Sequence, residues 1–241
     1  MRAGASSAIA AIACKELENS EDGWKDLVPT LVYALEHDNP SYKLSSIQTV
    51  AKICEDVRPS LINDKDAKNL LTSLMDMVLI DDLKLRCQLL EALLVMIPFA
   101  GHKLSRNEVF SMNLTNLIFD FIETGDQHIQ ILERAWKCMT ELAHHFYLSF
   151  YDKVGKVLEA AFSLTSITPE SSNREMELFE RCAMLGMETV SILIKEEHER
   201  LKRKKAGFNI IQDVAEPLTE ELLKALKLFN KVAFNVDSLC E

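Results

Sequence analysis

The residues able to do chemistry are scattered. Six cysteines, Cys14, Cys54, Cys87, Cys138, Cys182 and Cys240, lie 33 to 58 residues apart, and none forms a CxxC pair. Metal clusters and dense disulfide frameworks need close or paired thiols, so these read as free, mostly buried cysteines of an intracellular protein. His144 and His145 are neighbours, and adjacent helical positions point about 100° apart, so the pair is poorly placed to share one metal. It reads instead as a helix-end pair facing the C-terminal dipole. Cys138 and His144 have no third group nearby in sequence to orient a base, which argues against a nucleophilic site. Neither GxxxxGK[ST], GxSxG nor HExxH occurs, and with 7 Gly there is little material for a phosphate loop. A non-enzymatic protein without cofactors is the expectation; the contrary reading is a helical enzyme whose site gathers the dispersed Cys and His.

One basic cluster stands out, Lys202-Arg203-Lys204-Lys205. The stretch 195–207 carries +3, whereas the rest of the chain carries -13. The plain reading is a solvated last helical turn whose cations complement the dipole before Gly207 ends the helix. Elsewhere the acidity, net -10 overall, disfavours direct binding of nucleic acid and favours basic protein partners.

The elements that carry these residues are helical. Hydrophobic residues make up 48% of the chain, enough for a core, while 7 Gly and 6 Pro are too few for a turn-rich all-β fold. No apolar run reaches the roughly 20 residues that span a bilayer, so membrane insertion is not expected. The opening MRAGASSAIAAIACKEL has a mostly Ala apolar part followed at once by Lys15 and Glu16, and reads as a helix rather than a signal peptide. Apolar residues recur with a 3.6-residue period over about 4–17, 22–37, 41–57, 65–79, 82–97, 106–124, 127–147, 149–166, 172–204 and 214–235. Turn formers and N-caps separate them at Asp38-Asn39-Pro40-Ser41, Arg58-Pro59-Ser60, Gly101, Thr124-Gly125-Asp126 and Thr168-Pro169-Glu170-Ser171-Ser172.

The pattern repeats. Ala13, Ile53, Met96, Leu142 and Ile192 occupy equivalent places, separated by 40, 43, 46 and 50 residues. From Ile53 onwards each lies on a helix preceded by another amphipathic helix across a short turn, the signature of HEAT or armadillo arrays. The expected architecture is therefore an all-α, right-handed HEAT-repeat solenoid spanning 1–241. Its units are a half repeat at 1–17, hairpins at 22–57, 65–97, 106–147 and 149–204, and a half repeat at 214–241. Because AIAAIA is apolar where a capping repeat would be polar, both ends look cut.

At 106–124 the apolar residues Val109, Phe110, Met112, Leu114, Leu117, Ile118, Phe119, Phe121 and Ile122 surround the helix. Complete coverage requires deep embedding or a second apolar surface.

The block IAAIACKELENSEDGWKDLVPTLV at 9–32, with ICEDV at 53–57, resembles the N-terminal arch of the importin-β (karyopherin-β) family. Ile12, Ala13, Cys14, Glu16, Trp24, Leu27, Pro29 and Leu31 carry the likeness, which is close over roughly the first 57 residues. What the resemblance implies is a nuclear transport receptor shuttling between cytoplasm and nucleus. Its partners would be Phe-Gly nucleoporins, Ran-GTP, and basic cargo or an importin-α-like adaptor. Leu114, Thr115 and Ile118 match the family's Phe-Gly pocket on this outer helix. The second wall is aromatic in the family; here Val157 and, one turn on, Phe162 take that place, a departure from the pattern. A HEAT scaffold or adaptor subunit outside nuclear transport would share the helical skeleton but lack Phe-Gly affinity and Ran sensitivity.

Overall fold

The computed structural model describes residues 2–19, 24–79, 82–104, 108–124, 128–165, 173–205 and 219. Among them the regular structure is helical throughout, with no strand. The chain divides into two compact units, Met1–Phe150 and Tyr151–Glu241.

In the first unit the helices are α1 (Arg2–Asn19), α2 (Leu27–Glu36), α3 (Pro40–Asp56), α4 (Asp64–Met75), α5 (Leu83–Leu104), α6 (Glu108–Thr124) and α7 (Ile129–His145). Side-chain caps set several starts. Asn39 accepts from the Ser41 N–H at 2.9 Å, with Pro40 at the first helical position of α3. Asn63 accepts from the Asp66 N–H at 2.9 Å to open α4, and Asp82 accepts from the Leu85 N–H at 2.9 Å to open α5.

Packing follows the repeat. The odd helices form one layer in chain order, α1 on α3, α3 on α5 and α5 on α7. In the other layer α2 packs on α3 and α4, α4 on α5, and α6 on α7. Pairing across the odd layer holds a nearly constant register. Ser6 meets Thr49 at an offset of 43, Cys14 meets Asp56 at 42, and Gln48 meets Gln88 at 40. Further along, Cys54 meets Met96 at 42, Glu91 meets Arg134 at 43 and Leu90 meets Cys138 at 48. Both indices rise together from α1 to α3 and from α3 to α5, so those helices run in the same direction. Ala13, Ile53, Met96 and Leu142 are all buried along this layer. This is the α-α arrangement of a HEAT-type solenoid, and its offset matches the spacing read in the sequence.

Three local features depart from the expected breaks. Gly101 does not end a helix: α5 continues through Pro98 and Gly101 to Leu104. Pro98 removes the N–H that would bond the Leu94 carbonyl. At Gly101 a Cβ would lie 2.9 Å from His145 Cβ and 3.0 Å from His145 Nδ1. Hydrogen at that position lets the end of α7 approach α5. Residues 59–61 and 76–79, expected respectively as a break and as part of a helix, form 3-10 turns.

In the second unit α8 (Val154–Thr165) packs against α9 (Asn173–Lys202). Ile192, the fifth equivalent position, is buried there. The end of α9 differs from expectation. Lys205 N–H bonds the Arg200 carbonyl at 2.9 Å and Lys204 N–H bonds the Leu201 carbonyl at 3.0 Å. Together these are the two bonds of a Schellman motif, which places the left-handed residue at Lys204, φ 53°. Lys204 therefore carries the left-handed turn that ends α9. Gly207 itself, the helix expected at 214–235 with the half repeat 214–241, residues 125–126 and 168–172 of the breaks, and Cys240 lie outside the described residues, Thr219 apart.

Candidate protein-binding surfaces

Most of the described cysteines are buried. Cys54, Cys87, Cys138 and Cys182 are buried and Cys14 half-buried, all as free thiols. Burial pushes the Cys54 thiol up to about 12 and raises Cys138 further, with nearby carboxylates adding to both. Cys87 is raised by the same loss of hydration. Their sulfurs have structural partners: Cys54 Sγ lies 3.2 Å from Met96 Sδ, and Cys138 donates to the Leu90 carbonyl at 3.2 Å. A protonated, enclosed thiol is neither a nucleophile nor a metal ligand. Among the described residues no group of three or more His, Cys, Asp or Glu is placed to hold a metal ion. His144 and His145 occupy the last turn of α7, with His145 Nε2 3.6 Å from Glu141.

A polar chain crosses the odd layer. Gln48 Nε2 donates to Gln88 Oε1 at 3.0 Å, and Gln88 in turn donates to Glu91. Arg134 brings two nitrogens to Glu91 Oε1, Nε at 2.9 Å and Nη2 at 2.8 Å, while Nη1 donates to the Gln130 carbonyl at 3.0 Å. Beside it lies an open groove of about 640 Å³, lined by Asp82, Leu83, Lys84, Cys87, Gln88, Gln130 and Arg134. Its mixed charge suits polar contacts with a protein surface better than enclosure of a small molecule.

On α6 the apolar coverage resolves into depth and rim. Phe110, Leu114, Ile118, Phe119, Phe121 and Ile122 are buried, while Met112 and Leu117 are half-buried and Val109 is 70% exposed. Leu114, Thr115 and Ile118 are each 0% exposed. Ile118 is as enclosed as Phe121. Ser149 gives its proton to the Phe146 carbonyl at 2.7 Å, so the 2.5 Å contact between Thr115 and Ser149 has Thr115 as donor. In the second unit Val157 is buried and Phe162 half-buried, both on α8. Periodicity alone could not have separated Ile118 from a surface residue, because α6 is apolar around its circumference.

Comparison with known proteins places the chain near one family. It is 28% identical over 205 residues to Importin subunit beta-1 of Schizosaccharomyces pombe (strain 972 / ATCC 24843), covering 82% of this chain and 22% of that relative. A distant, importin-like HEAT-repeat relationship is what this supports. The chain spans only about a fifth of the relative's length, as the 22% coverage states. No family model matches the chain, and no solved structure matches it significantly.

Proposed function

We propose that this chain is the helical-repeat part of a nuclear transport receptor, working through protein–protein contacts on its helix surfaces rather than by catalysis. The similarity to Importin subunit beta-1 over 82% of the chain carries the reading. The packing adds support: a repeat register of 40–48 residues shows that the periodicity is built into the core. A stack of parallel helices presents rows of side chains that are fixed relative to one another. Such surfaces bind extended partners by many modest contacts.

The partners in this reading are Phe-Gly nucleoporins, GTP-loaded Ran, and basic cargo or an importin-α-like adaptor, with the protein shuttling between cytoplasm and nucleus. The net charge of -10 favours basic cargo. For the Phe-Gly contact we keep Leu114, Thr115 and Ile118 on α6 as proposed lining residues of the first unit; Val157 and Phe162 on α8 are kept separately, as proposed contact residues of the second unit. Full burial of the three α6 residues means that a Phe ring reaches them only where covering side chains move aside.

Pull-down with immobilised Phe-Gly repeats and with Ran in its GTP and GDP forms tests the proposal. Retention on the repeats together with GTP-dependent Ran binding is the expected result. Loss of both assigns the chain to a helical scaffold outside nuclear transport. The lining is read separately by methyl NMR: Leu114 and Ile118 signals should shift on adding a Phe-Gly peptide. Unmoved signals in a protein that still binds the repeats remove those residues from the site.

A further inference from the structure

The end of α9 presents a charged surface that the transport reading does not use. Arg203, Lys204 and Lys205 are exposed and follow exposed Lys202, which is paired at 2.9 Å with Glu199. Leu201 lies among them, 47% exposed. Glu197 is fully buried and so withdrawn from this surface, Glu196 is half-buried, and His198 is exposed one turn earlier. The two Schellman bonds hold the backbone of 200–205 in one conformation, so the cations project from an ordered end.

Lys204 adds an independent observation. It holds φ 53°, a left-handed conformation in which glycine is the unstrained residue. Dipole complementation does not require a cation there, because Lys202, Arg203 and Lys205 already supply charge at the same terminus. A strained side chain retained on the surface points to a role for that side chain.

We infer that Leu201–Lys205 is a docking site for a short acidic segment of a protein partner, with Leu201 receiving an apolar side chain of that segment. Charge complementarity selects the occupant: the stretch 195–207 carries +3 and the remainder of the chain -13. Screening in physiological salt acts over about 8 Å, which confines the attraction to the helix end. The net charge of -10 opposes a long polyanion such as a nucleic-acid duplex, whereas a short acidic segment matches the patch.

Fluorescence anisotropy with the 241-residue chain and a labelled, roughly twelve-residue Glu/Asp peptide containing one Leu tests the site. Binding should weaken with added salt and vanish in the Arg203→Ala, Lys204→Ala, Lys205→Ala triple variant. Lys204→Gly separates function from helix-end chemistry. It should raise the melting temperature by ~2 °C through relief of the left-handed strain. Removing one cation should at the same time weaken the peptide about two- to five-fold. Lys204→Arg, which keeps both charge and strain, should bind like the parent. Absence of peptide binding, or a Lys204→Gly protein that melts higher and binds undiminished, overturns the assignment. Binding of a 20-base-pair DNA duplex as tight as that of the peptide overturns it in favour of a nucleic-acid site.

Discussion

Ile118 and Gly101 show how little space separates neighbouring helices. Ile118 is 0% exposed, so Ile118→Asp places a carboxylate where water does not reach. The expected cost is several kcal/mol, on the order of 3–5, comparable with Phe121→Asp. Urea denaturation of both variants checks this, and a near-parental Ile118→Asp protein would contradict the burial. Gly101→Ala is subtler. Alanine favours helix by ~1 kcal/mol over glycine. Here its Cβ would meet His145 Cβ at 2.9 Å, backed closely by helix α7 rather than by a flexible tip. Overpacking costs typically ~1–3 kcal/mol, so net destabilisation is expected. A stabilised Gly101→Ala protein would show that α5 and α7 do not approach so closely. Solution pH acts on the thiols. Cys54, raised by burial from 9.0 to about 12, is protonated in the fold and more readily ionised when unfolded. Its contribution is complete below about pH 9 and declines as pH rises towards 12, on the order of 1 kcal/mol per pH unit. Stability measured from pH 8 to 10.5 should fall, and Cys54→Ala should flatten the slope.

Helix boundaries are decided by local hydrogen bonds. Asn63 serves α4 twice: its Oδ1 accepts from the Asp66 N–H and its Nδ2 donates to Asp66 Oδ2 at 2.7 Å. With Asp64 and Asp66 in the first turn, the N-terminal dipole is also complemented. Asn63→Ala should therefore cost about 1 kcal/mol, read as a lower melting temperature without change in the denaturant m-value. Asn63→Asp keeps the acceptor but sets a carboxylate oxygen against Asp66 Oδ2 in place of the Nδ2 donor, so it should recover only part of the stability. At the other extreme α9 ends on a lysine in a glycine conformation. Replacing Lys204 by glycine on the same backbone would stabilise this end by up to about 1 kcal/mol.

At the scale of the molecule, a HEAT-type array was legible because a stacked helix must repeat its apolar stripe at each turn of the array. The equivalence of Ala13, Ile53, Met96 and Leu142 became a buried row, and the 40–46 residue steps between them became a packing offset of 40–48. Caps were legible where the side chain acts on its own helix, as at Asn39. What only the tertiary structure decided depends on partners distant in sequence. Gly101 looks like a terminator until His145 is seen against it. Ile118 and Val109 both belong to an apolar helix surface, yet one is closed and the other 70% exposed, because neighbouring helices cover only part of α6. A left-handed turn fell on Lys204 because the Schellman bonds close there. Periodicity thus determined which helices stack; the third dimension determined which of their side chains remain available to bind.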